Sequence, residues 1–258
     1  MTAGSLRRVD PTTVILCGGK GTRAWPATAE LPKPMLTLGE HPVLRHVMEI
    51  YARQGHRRFV LAAGYRAEVI VDYAATLPAD WAVEVVDTGE QTNTGGRLRR
   101  VLDRVDGTFF ATYGDGLGNV DLAALLATHT RHGRLATVTV VALPSPYGTL
   151  ELDRSGRVRN FLEKPVLPDH LINAGFFVFE PAAFDVAAGE DLEREVLPEL
   201  GAAGELYGHR HPGFWRSMDT HKEVVELSRL AIEEGAPWLD LPAAGALSPA
   251  PPASSVRT

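Results

Sequence analysis

Short apolar runs alternate with helix-type segments over the first 143 residues of the chain. The apolar runs occupy residues 14–17, 58–64, 81–86, 108–113 and 136–143. Each is short enough for one buried strand, and segments between them, such as 42–54 and 122–132, repeat apolar residues at helical spacing. Strands that alternate with helices form a mostly parallel sheet with helices on its faces. The pattern therefore predicts an α/β fold that binds ligands beyond the carboxyl ends of its strands.

The first apolar run ends in a glycine-rich loop, GGKGTR, at residues 18–23. Glycines expose backbone N–H groups, and such a loop can wrap a phosphate. Lys20, Arg23 and Lys33 place cationic side chains in the same segment, and arginine can bind phosphate with two parallel hydrogen bonds. The loop therefore predicts a polyphosphate site, with an ordinary strand-to-loop turn as the alternative.

Two other phosphate-binding motifs share glycine-rich loops of this kind. The Walker pattern G-x-x-x-x-G-K-[ST] is absent from this segment. Residues 19–24 fit the spacing of a dinucleotide fingerprint, but Trp25-Pro26 interrupts the helix that should follow it. Pro32 and Pro34 keep the next residues out of a long helix as well. We therefore expect an extended loop rather than a turn into a helix.

The composition excludes several classes of protein. The 258 residues are 45% hydrophobic, which is enough for one large domain. A net charge of −6 argues against a nucleic-acid-binding protein. No apolar run approaches the ~20 residues of a membrane-spanning helix, and residues 1–11 lack the apolar core of a secretory signal. The single cysteine, Cys17, excludes an internal disulfide and suits a reducing cytoplasm, and we interpret it as a small buried packing residue.

Two further segments place chemically useful residues at the ends of predicted strands. Gly95 and Gly96, at the entrance of a helix, remove side chains where a flat group such as a nucleobase could lie against backbone. Arg97 follows them at a position that the helix dipole disfavours for a cation, which favours a ligand-facing role. Asp115, flanked by glycines, could hold a hard cation near phosphates, or could belong to a simple Asp-Gly turn.

The pattern changes at Gly148, where a hairpin over residues 149–161 is predicted. Glu163 and Lys164 follow it and offer a hydroxyl acceptor and a phosphate-binding cation, although a surface ion pair is the alternative. Asn173 lies near the start of the next strand. Asp219 precedes a helix at 221–234, where either it or Thr220 could be the N-cap.

Taken together, these segments resemble the sugar-nucleotide pyrophosphorylases over residues 14–238, most closely their branch of glucose-1-phosphate cytidylyltransferases. The motifs that carry the resemblance are GGKGTR at 18–23 with Lys33-Pro34, VDTG at 86–89, TGGRL at 94–98, TYGDG at 112–116, INAGFF at 172–177, and HPGFW at 211–215 with MDT at 218–220. The resemblance implies a Rossmann-like fold of the nucleotide-diphospho-sugar transferase type. That fold has a mixed, mainly parallel sheet flanked by helices and a small β-hairpin sugar-binding region.

The resemblance also implies an activity and a set of roles. A hexose 1-phosphate, α-D-glucose 1-phosphate in this branch, would attack the α-phosphate of CTP in line, with Mg²⁺ as cofactor. The implied catalytic residues are Arg23 and Lys33, and the implied metal ligands are Asp115 and Asp219. The implied nucleotide-binding residues are Gly18, Gly19, Gly21, Thr22, Arg23, Gly95, Gly96 and Arg97. The implied sugar-phosphate-binding residues are Gly148, Glu163, Lys164 and Asn173.

The implied organisation is one nucleotidyltransferase domain with small-molecule substrates. We expect a flexible arm at 1–12, a domain at 13–240 and a disordered Pro/Ala/Ser-rich tail at 241–258. Within the domain, 13–143 would bind nucleotide and 144–240 the sugar phosphate. We expect a cytoplasmic homo-oligomer without nucleic-acid or membrane partners.

The sequence departs from the family pattern in ways that leave alternatives open. Cys17 and Ala24 stand where alanine and leucine are usual, which we interpret as packing changes. The connection over residues 65–82 is short for this branch, so the oligomeric state and the preference for CTP stay open. The same reaction with dTTP, UTP or another sugar 1-phosphate, and a non-catalytic nucleotide-sugar-binding protein, are the alternatives.

Overall fold

The computed structural model describes residues 10–21 and 31–241. The predictions made for the N-terminal arm, the C-terminal tail, Thr22 and Arg23 fall wholly or mainly on residues outside these ranges.

A seven-stranded mixed sheet forms the centre of the described structure. The strands are β1 (Thr13–Leu16), β2 (Thr37–Leu38), β3 (His41–Pro42), β4 (Arg58–Ala63), β5 (Ala82–Asp87), β6 (Phe109–Tyr113), β7 (Gly116–Gly118), β8 (Ala136–Pro144), β9 (Thr149–Leu152), β10 (Val158–Leu162), β11 (Val166–Phe179), β12 (Leu206–Arg210) and β13 (Trp215–Ser217). The central sheet has the order β12-β8-β11-β6-β1-β4-β5. Its pairs are parallel except that β11 runs antiparallel to both β6 and β8. The predicted mixed, mainly parallel sheet is thus confirmed.

Helices cover both faces of this sheet. The α-helices are α1 (Val43–Ala52), α2 (Ala67–Ala74), α3 (Thr94–Arg99), α4 (Leu122–His132), α5 (Ala183–Val186), α6 (Leu197–Ala202) and α7 (His221–Glu233). In the part of the chain that the structure describes, 3-10 turns occupy Lys33–Met35, Leu102–Arg104 and Pro237–Leu239, and a π-helical turn occupies Leu192–Val196. Within residues 10–21 and 31–241, no helix is both long and apolar enough to cross a membrane.

The central strand β1 separates two apolar cores. Side chains alternate between the faces of a strand, so Ile15 and Cys17 pack into the core that includes α1. Val14 and Leu16 pack into the opposite core with residues of α3 and α6. Burial on both faces explains why β1 is a continuous apolar run in the sequence.

Two elements depart clearly from the sequence prediction. The apolar residues 98–105 predict one helix, but α3 ends at Arg99 because the backbone leaves helical geometry at Val101, where φ is −117°. Strand β11 begins at Val166 rather than near residue 172. Its first half pairs with the end of β8, and most of its side chains there are exposed, so no apolar pattern marks it.

Candidate active site

An open cleft of about 760 Å³ lies beyond the carboxyl ends of β1, β5 and β6. Its walls come from the glycine loop, the segment that follows β5, the end of β6, the middle of β11, the π-helical turn and β13. This is the edge of the sheet at which the strand order predicted a ligand site.

Lys33 lies at the bottom of this cleft between two carboxylates. Its Nζ donates hydrogen bonds to Oδ2 of Asp115 at 2.6 Å and to Oδ1 of Asp219 at 2.9 Å. The lysine side chain is 9% exposed, and the two aspartates are 28% and 27% exposed. Three residues that the sequence placed in catalytic and metal-binding roles thus meet at one point, with the ammonium buried and the carboxylates open to the cleft.

A short β-ladder brings the two aspartates together across 104 residues of sequence. Strands β7 and β13 pair antiparallel, so Gly116 lies opposite Ser217. The ladder extends by one bond beyond that pair, because the N–H of Met218 donates to the carbonyl of Asp115 at 3.0 Å. Asp115 and Asp219 therefore lie at the same end of this two-stranded ladder.

Prolines place Lys33 opposite this ladder. Lys33 begins a 3-10 turn between Pro32 and Pro34, and the N–H of Met35 donates to the carbonyl of Pro32 at 2.8 Å. Pro34 packs against Gly114, where an added Cβ would lie 3.0 Å from the proline Cγ. A side chain at position 114 would displace the turn that carries the lysine.

The structure distinguishes the two possible N-caps of α7. Thr220 is the N-cap, and it forms a capping box with Glu223. Asp219 lies one residue before the cap, and Oε2 of Glu223 accepts a hydrogen bond from its N–H at 2.7 Å. The backbone of Asp219 is therefore fixed by the helix terminus, and its carboxylate contacts Lys33 instead of capping the helix.

Among the described residues, no group of three or more His, Cys, Asp or Glu side chains is arranged to hold a metal ion. Two carboxylates that contact one nitrogen atom still lie within reach of a single cation. Mg²⁺ at sites of phosphoryl transfer takes one or two carboxylates, and substrate phosphates and water complete its coordination. The chemistry of the Asp115 and Asp219 pair therefore fits Mg²⁺.

The three glycines of the loop have different surroundings. An added Cβ at Gly18 would collide with the guanidinium of Arg97, so this glycine makes room for an arginine. At Gly19 an added Cβ would meet nothing within 4 Å, so its backbone borders open space in the cleft. Gly21 has φ of +61°, which favours glycine.

The buried side chain of Arg97 forms hydrogen bonds both to the glycine loop and to the ends of two neighbouring strands. Its Nη2 donates to the carbonyl of Gly18 at 2.9 Å, and its Nη1 donates to the carbonyl of Ala63 at 2.9 Å and to Oγ1 of Thr88 at 2.6 Å. The residue is 4% exposed, and burial lowers the pKa of its guanidinium. Arg97 lines the cleft, as the sequence predicted, but much of its hydrogen-bonding capacity is directed to the protein backbone.

Gly95 and Gly96 face other parts of the protein and do not line the cleft. An added Cβ at Gly95 would lie 2.8 Å from the carbonyl of Gly189, and one at Gly96 would collide with the carboxylate of Glu190. The N–H of Gly96 also donates to the carbonyl of Glu190 at 3.0 Å. The part of this segment that lines the cleft is the preceding run from Glu90 to Thr94.

Of the four predicted sugar-phosphate residues, Asn173 lines the cleft, whereas Gly148, Glu163 and Lys164 do not. Gly148 and Glu163 lie beside each other at the hairpin, since an added Cβ at Gly148 would be 3.1 Å from Oε2 of Glu163. Lys164 is exposed and has φ of +47°. These three residues therefore lie outside the cleft that Asn173 lines.

A hydrogen-bonded chain along one wall of the cleft was not predicted from the sequence. Nδ2 of Asn173 donates to the hydroxyl of Tyr113 at 3.1 Å, and that hydroxyl donates to Oε1 of Glu193. Oγ1 of Thr94 donates to Oε2 of Glu193 at 2.8 Å. Burial, and then the negative charge of Glu193, raise the pKa of Tyr113. Nothing in the sequence marked Glu193, because its position in a short helical segment is typical of a solvent-exposed acid.

A second contact that the sequence did not predict links two loops that line the cleft. Nζ of Lys20, in the glycine loop, lies 2.6 Å from Oε1 of Glu90, in the segment after β5. Both side chains are half-exposed, and both residues line the cleft. The polar run Glu90-Gln91-Thr92-Asn93 directly after a strand was the available sequence signal.

Cys17 is a packing residue at the base of the cleft. The residue is 1% exposed, and burial raises the pKa of its thiol to about 12. The thiol therefore stays protonated near neutral pH, which confirms the packing interpretation and argues against a nucleophile.

The comparisons with known proteins identify the class of protein that has this fold and cleft. The family model described as "Nucleotidyl transferase" matches residues 12–234. The chain belongs to the nucleotidyl transferase family.

Individual relatives agree with this assignment. The chain is 38% identical over 251 residues to the glucose-1-phosphate cytidylyltransferase of Salmonella typhimurium, and the match covers 87% of this chain and 97% of the relative. It is 32% identical to the catalytic subunit beta of a mannose-1-phosphate guanylyltransferase from Drosophila melanogaster, over 82% of this chain and 60% of the relative. The crystal structure of HddC from Yersinia pseudotuberculosis has the same fold, with a TM-score of 0.69 and 22% identity over 85% of this chain and 98% of that chain.

Proposed function

We propose that this protein joins CTP to α-D-glucose 1-phosphate and releases pyrophosphate. The observation that carries the proposal is the placement of Lys33 between Asp115 and Asp219 at the bottom of a cleft bordered by the glycine loop. The choice of nucleotide and sugar rests on the 38% identical cytidylyltransferase, whose length the chain matches almost completely.

The reaction needs positioning and charge neutralisation rather than a covalent nucleophile. The phosphate oxygen of the sugar phosphate attacks the α-phosphorus in line, and pyrophosphate leaves. We place the triphosphate along the glycine loop, with Gly18, Gly19 and Gly21 as its cradle, and we assign Thr22 and Arg23 to the same role because they complete the loop's sequence motif. Lys33 turns its ammonium to the phosphate oxygens and stabilises the charge that develops on them.

Asp115 and Asp219 are the residues that would hold Mg²⁺. The ion would supply charge neutralisation for the phosphate oxygens when bound. The carboxylates themselves orient Lys33 in the cleft, because both accept hydrogen bonds from its Nζ.

The two substrates occupy opposite halves of the cleft. The nucleotide half comprises the glycine loop and the segment after β5, with Arg97 beneath both and Gly95-Gly96 supporting that segment. The sugar half comprises Asn173 and the side chains of β13. Gly148, Glu163 and Lys164 lie outside the cleft, so their proposed contact with the sugar phosphate requires the β9–β10 hairpin to move towards the bound substrate, as closing loops do in other enzymes. This division corresponds to the chain segments 13–143 and 144–240.

The enzyme acts in the cytoplasm as a homo-oligomer. A free buried cysteine suits a reducing compartment. Large apolar side chains are exposed on the hairpin and the start of β11, among them Leu150, Leu152, Phe161 and Val166. Exposed apolar groups concentrated in one region are typical of association surfaces, and light scattering of the purified protein measures the mass of the assembly.

Pyrophosphate release with a panel of nucleotides and sugars tests the activity. The panel combines CTP, UTP, dTTP and GTP with glucose 1-phosphate and other sugar 1-phosphates, with and without Mg²⁺. We expect release with CTP and glucose 1-phosphate only when Mg²⁺ is present. Release with dTTP or UTP but not CTP would overturn the nucleotide assignment, and release with no pair would overturn the enzymatic function.

A further inference from the structure

We propose that Glu193 is a positioning residue for the sugar phosphate. Through the hydroxyl of Tyr113 it holds the side-chain amide of Asn173 so that one amide N–H is presented to an oxygen of the phosphate group. Glu193 acts through the other two residues and does not contact the substrate itself. This inference rests on the proposed function, because it deepens the role of Asn173 in the same cleft.

The side-chain amide of Asn173 is fixed at both of its ends. Its Oδ1 accepts a hydrogen bond from the N–H of Gly175 at 2.7 Å, and its Nδ2 donates to the hydroxyl of Tyr113 at 3.1 Å. An amide nitrogen carries two hydrogens, and the second has no partner among the residues that the structure describes. Because Asn173 lines the cleft, this remaining N–H is the donor available to a phosphate oxygen, which accepts such bonds strongly.

The carboxylate of Glu193 sets the direction of this chain of hydrogen bonds. An ionised carboxylate only accepts, so the hydroxyl of Tyr113 donates its single hydrogen to Oε1 of Glu193. Burial, and then the negative charge of Glu193, raise the pKa of Tyr113, so the hydroxyl keeps that hydrogen. Towards Asn173 the hydroxyl oxygen can then only accept, and it faces the nitrogen end of the amide. The cleft therefore receives an amide donor and not the amide carbonyl.

Packing holds the ring of Tyr113 in the position that this chain needs. Gly175 has φ of +78°, and an added Cβ there would lie 2.3 Å from Cδ2 of Tyr113, so a glycine is required beside the ring. The ring also packs edge-on against Phe177, with the ring centroids 5.6 Å apart. The hydroxyl oxygen is therefore held in place, and Glu193 decides only the direction of its hydrogen.

Contacts with the start of α3 hold Glu193 in place. Its Oε2 accepts a hydrogen bond from Oγ1 of Thr94 at 2.8 Å, and the N–H of Leu192 donates to the same hydroxyl oxygen at 2.9 Å. The N–H of Glu193 donates to Oδ1 of Asp191 at 3.1 Å. Each carboxylate oxygen thus has a hydroxyl donor from the protein, which favours a supporting role over direct contact with a ligand.

The test measures kcat and KM for glucose 1-phosphate and for CTP in the full-length wild-type protein and in Glu193→Gln. An amide at position 193 can donate to the oxygen of Tyr113, so it no longer enforces the direction of the chain. We expect the KM for glucose 1-phosphate to rise about five-fold or more, the effect of losing one hydrogen bond of ordinary strength. The kcat and the KM for CTP should change little, because only binding of the sugar phosphate is weakened.

Glu195→Gln is the matched control, because it neutralises a neighbouring carboxylate of the same turn. Oε2 of Glu195 accepts from the N–H groups of Glu190 at 2.6 Å and Asp191 at 3.0 Å, and an amide oxygen can accept the same bonds. The KM of this variant for glucose 1-phosphate should equal that of the wild-type protein. An unchanged KM in Glu193→Gln, or an equal rise in both variants, would overturn the inference.

Tyr113→Phe distinguishes a positioning role from direct contact with the substrate. If Glu193 acts through the hydroxyl of Tyr113, adding Glu193→Gln to Tyr113→Phe should raise the KM for glucose 1-phosphate no further, since the two residues form one unit. Effects that multiply in the double variant would show that Glu193 acts independently of Tyr113, and they would overturn the inference.

If the wild-type protein releases pyrophosphate with no pair of substrates, the proposed function fails separately. Calorimetric binding of glucose 1-phosphate to the wild-type protein, Glu193→Gln and Glu195→Gln then decides the inference. Weaker binding to Glu193→Gln alone supports it, whereas any other pattern, including no binding to any of the three proteins, overturns it.

Discussion

The Nζ atom of Lys33 lies 2.6 Å from Oδ2 of Asp115, although 82 residues separate them in the sequence. Replacing Lys33 with alanine removes the only side chain that we place between the two carboxylates and the reacting phosphate. We expect turnover to fall by ~10²-fold or more, by analogy with the loss of one preorganised charge-stabilising donor. Steady-state pyrophosphate release measures the effect.

Lys222→Ala is the control for that variant. Lys222 lies on the exposed side of α7, where it pairs with Glu226 at 3.6 Å. Its removal deletes a positive charge that does not line the cleft and should leave turnover unchanged. Near-normal turnover in Lys33→Ala would show that this lysine does not take part in the reaction.

Asp115→Asn and Asp219→Asn test the proposed metal ligands. Each change keeps the shape of the side chain but removes its charge, so we expect Mg²⁺-dependent activity to be lost while the thermal midpoint changes little. Activity is measured across a Mg²⁺ titration, and stability by calorimetry. Full activity in either variant would show that the metal assignment is wrong.

Thr220→Ala tests whether activity depends on the N-cap of α7 or on the carboxylate of Asp219, which precedes it. The substitution removes the cap and should cost about 1 kcal/mol of unfolding free energy. Because Asp219 keeps its contact with Lys33, we expect most of the activity to remain. A loss of activity as large as that in Asp219→Asn would mean that the helix terminus, rather than the carboxylate, matters.

Arg97→Met tests the connection beneath the glycine loop. The variant keeps an unbranched buried side chain but leaves the carbonyls of Gly18 and Ala63 without these donors. We expect the free energy of unfolding to fall by about 1–3 kcal/mol, because hydrogen bonds from a charged donor are lost while Tyr65 and Thr88 continue to donate to the same carbonyls. Urea unfolding measures it, with Arg58→Met as a control whose exposed pair with Asp106 should contribute about 0–1 kcal/mol. Equal effects of the two substitutions would contradict the role of Arg97.

The pH dependence of stability should include a contribution from His129, one of several histidines whose pKa is lowered by burial and a member of a hydrogen-bonded chain. The N–H of Arg134 donates to Nδ1 of His132, so Nε2 of His132 carries the proton and donates to Oγ1 of Thr137 at 2.7 Å. Thr137 then donates to Nδ1 of His129 at 2.8 Å, and Nε2 of His129 donates to Glu180 at 3.3 Å. This arrangement holds His129 neutral, and burial lowers its pKa.

The sign of the effect follows from that shift. The unfolded chain binds a proton at this histidine near its ordinary pKa of about 6.5, whereas the folded chain binds it only at lower pH. The free energy of unfolding should therefore fall as pH drops below about 6.5, by up to ~1.4 kcal/mol per pH unit for this group. Urea unfolding between pH 7.5 and 5.0 measures the slope. His129→Gln should reduce it, and an unchanged slope in that variant would contradict the assignment.

Much of the fold and of the site could be predicted from local sequence. Residues 136–143 and 122–132 carry periodicities that respond directly to burial, and the strand and helix there agree with the prediction within one residue. Asp115 could be singled out because it follows a buried strand between two glycines. The early end of α3 and the early start of β11 had no such marker, because they depend on partners distant in sequence.

The sequence by itself determined the α/β class, the glycine-rich loop and the candidate site residues, because each depends on local periodicity or on a short motif. Only the tertiary structure decided which of those residues meet. The β7–β13 ladder places Asp115 beside Asp219, and Gly114 admits the proline turn that delivers Lys33 between them. Burial of Arg97 directs its hydrogen bonds to backbone carbonyls of separate segments. Such contacts join residues tens to hundreds of positions apart, and local propensity carries no information about them.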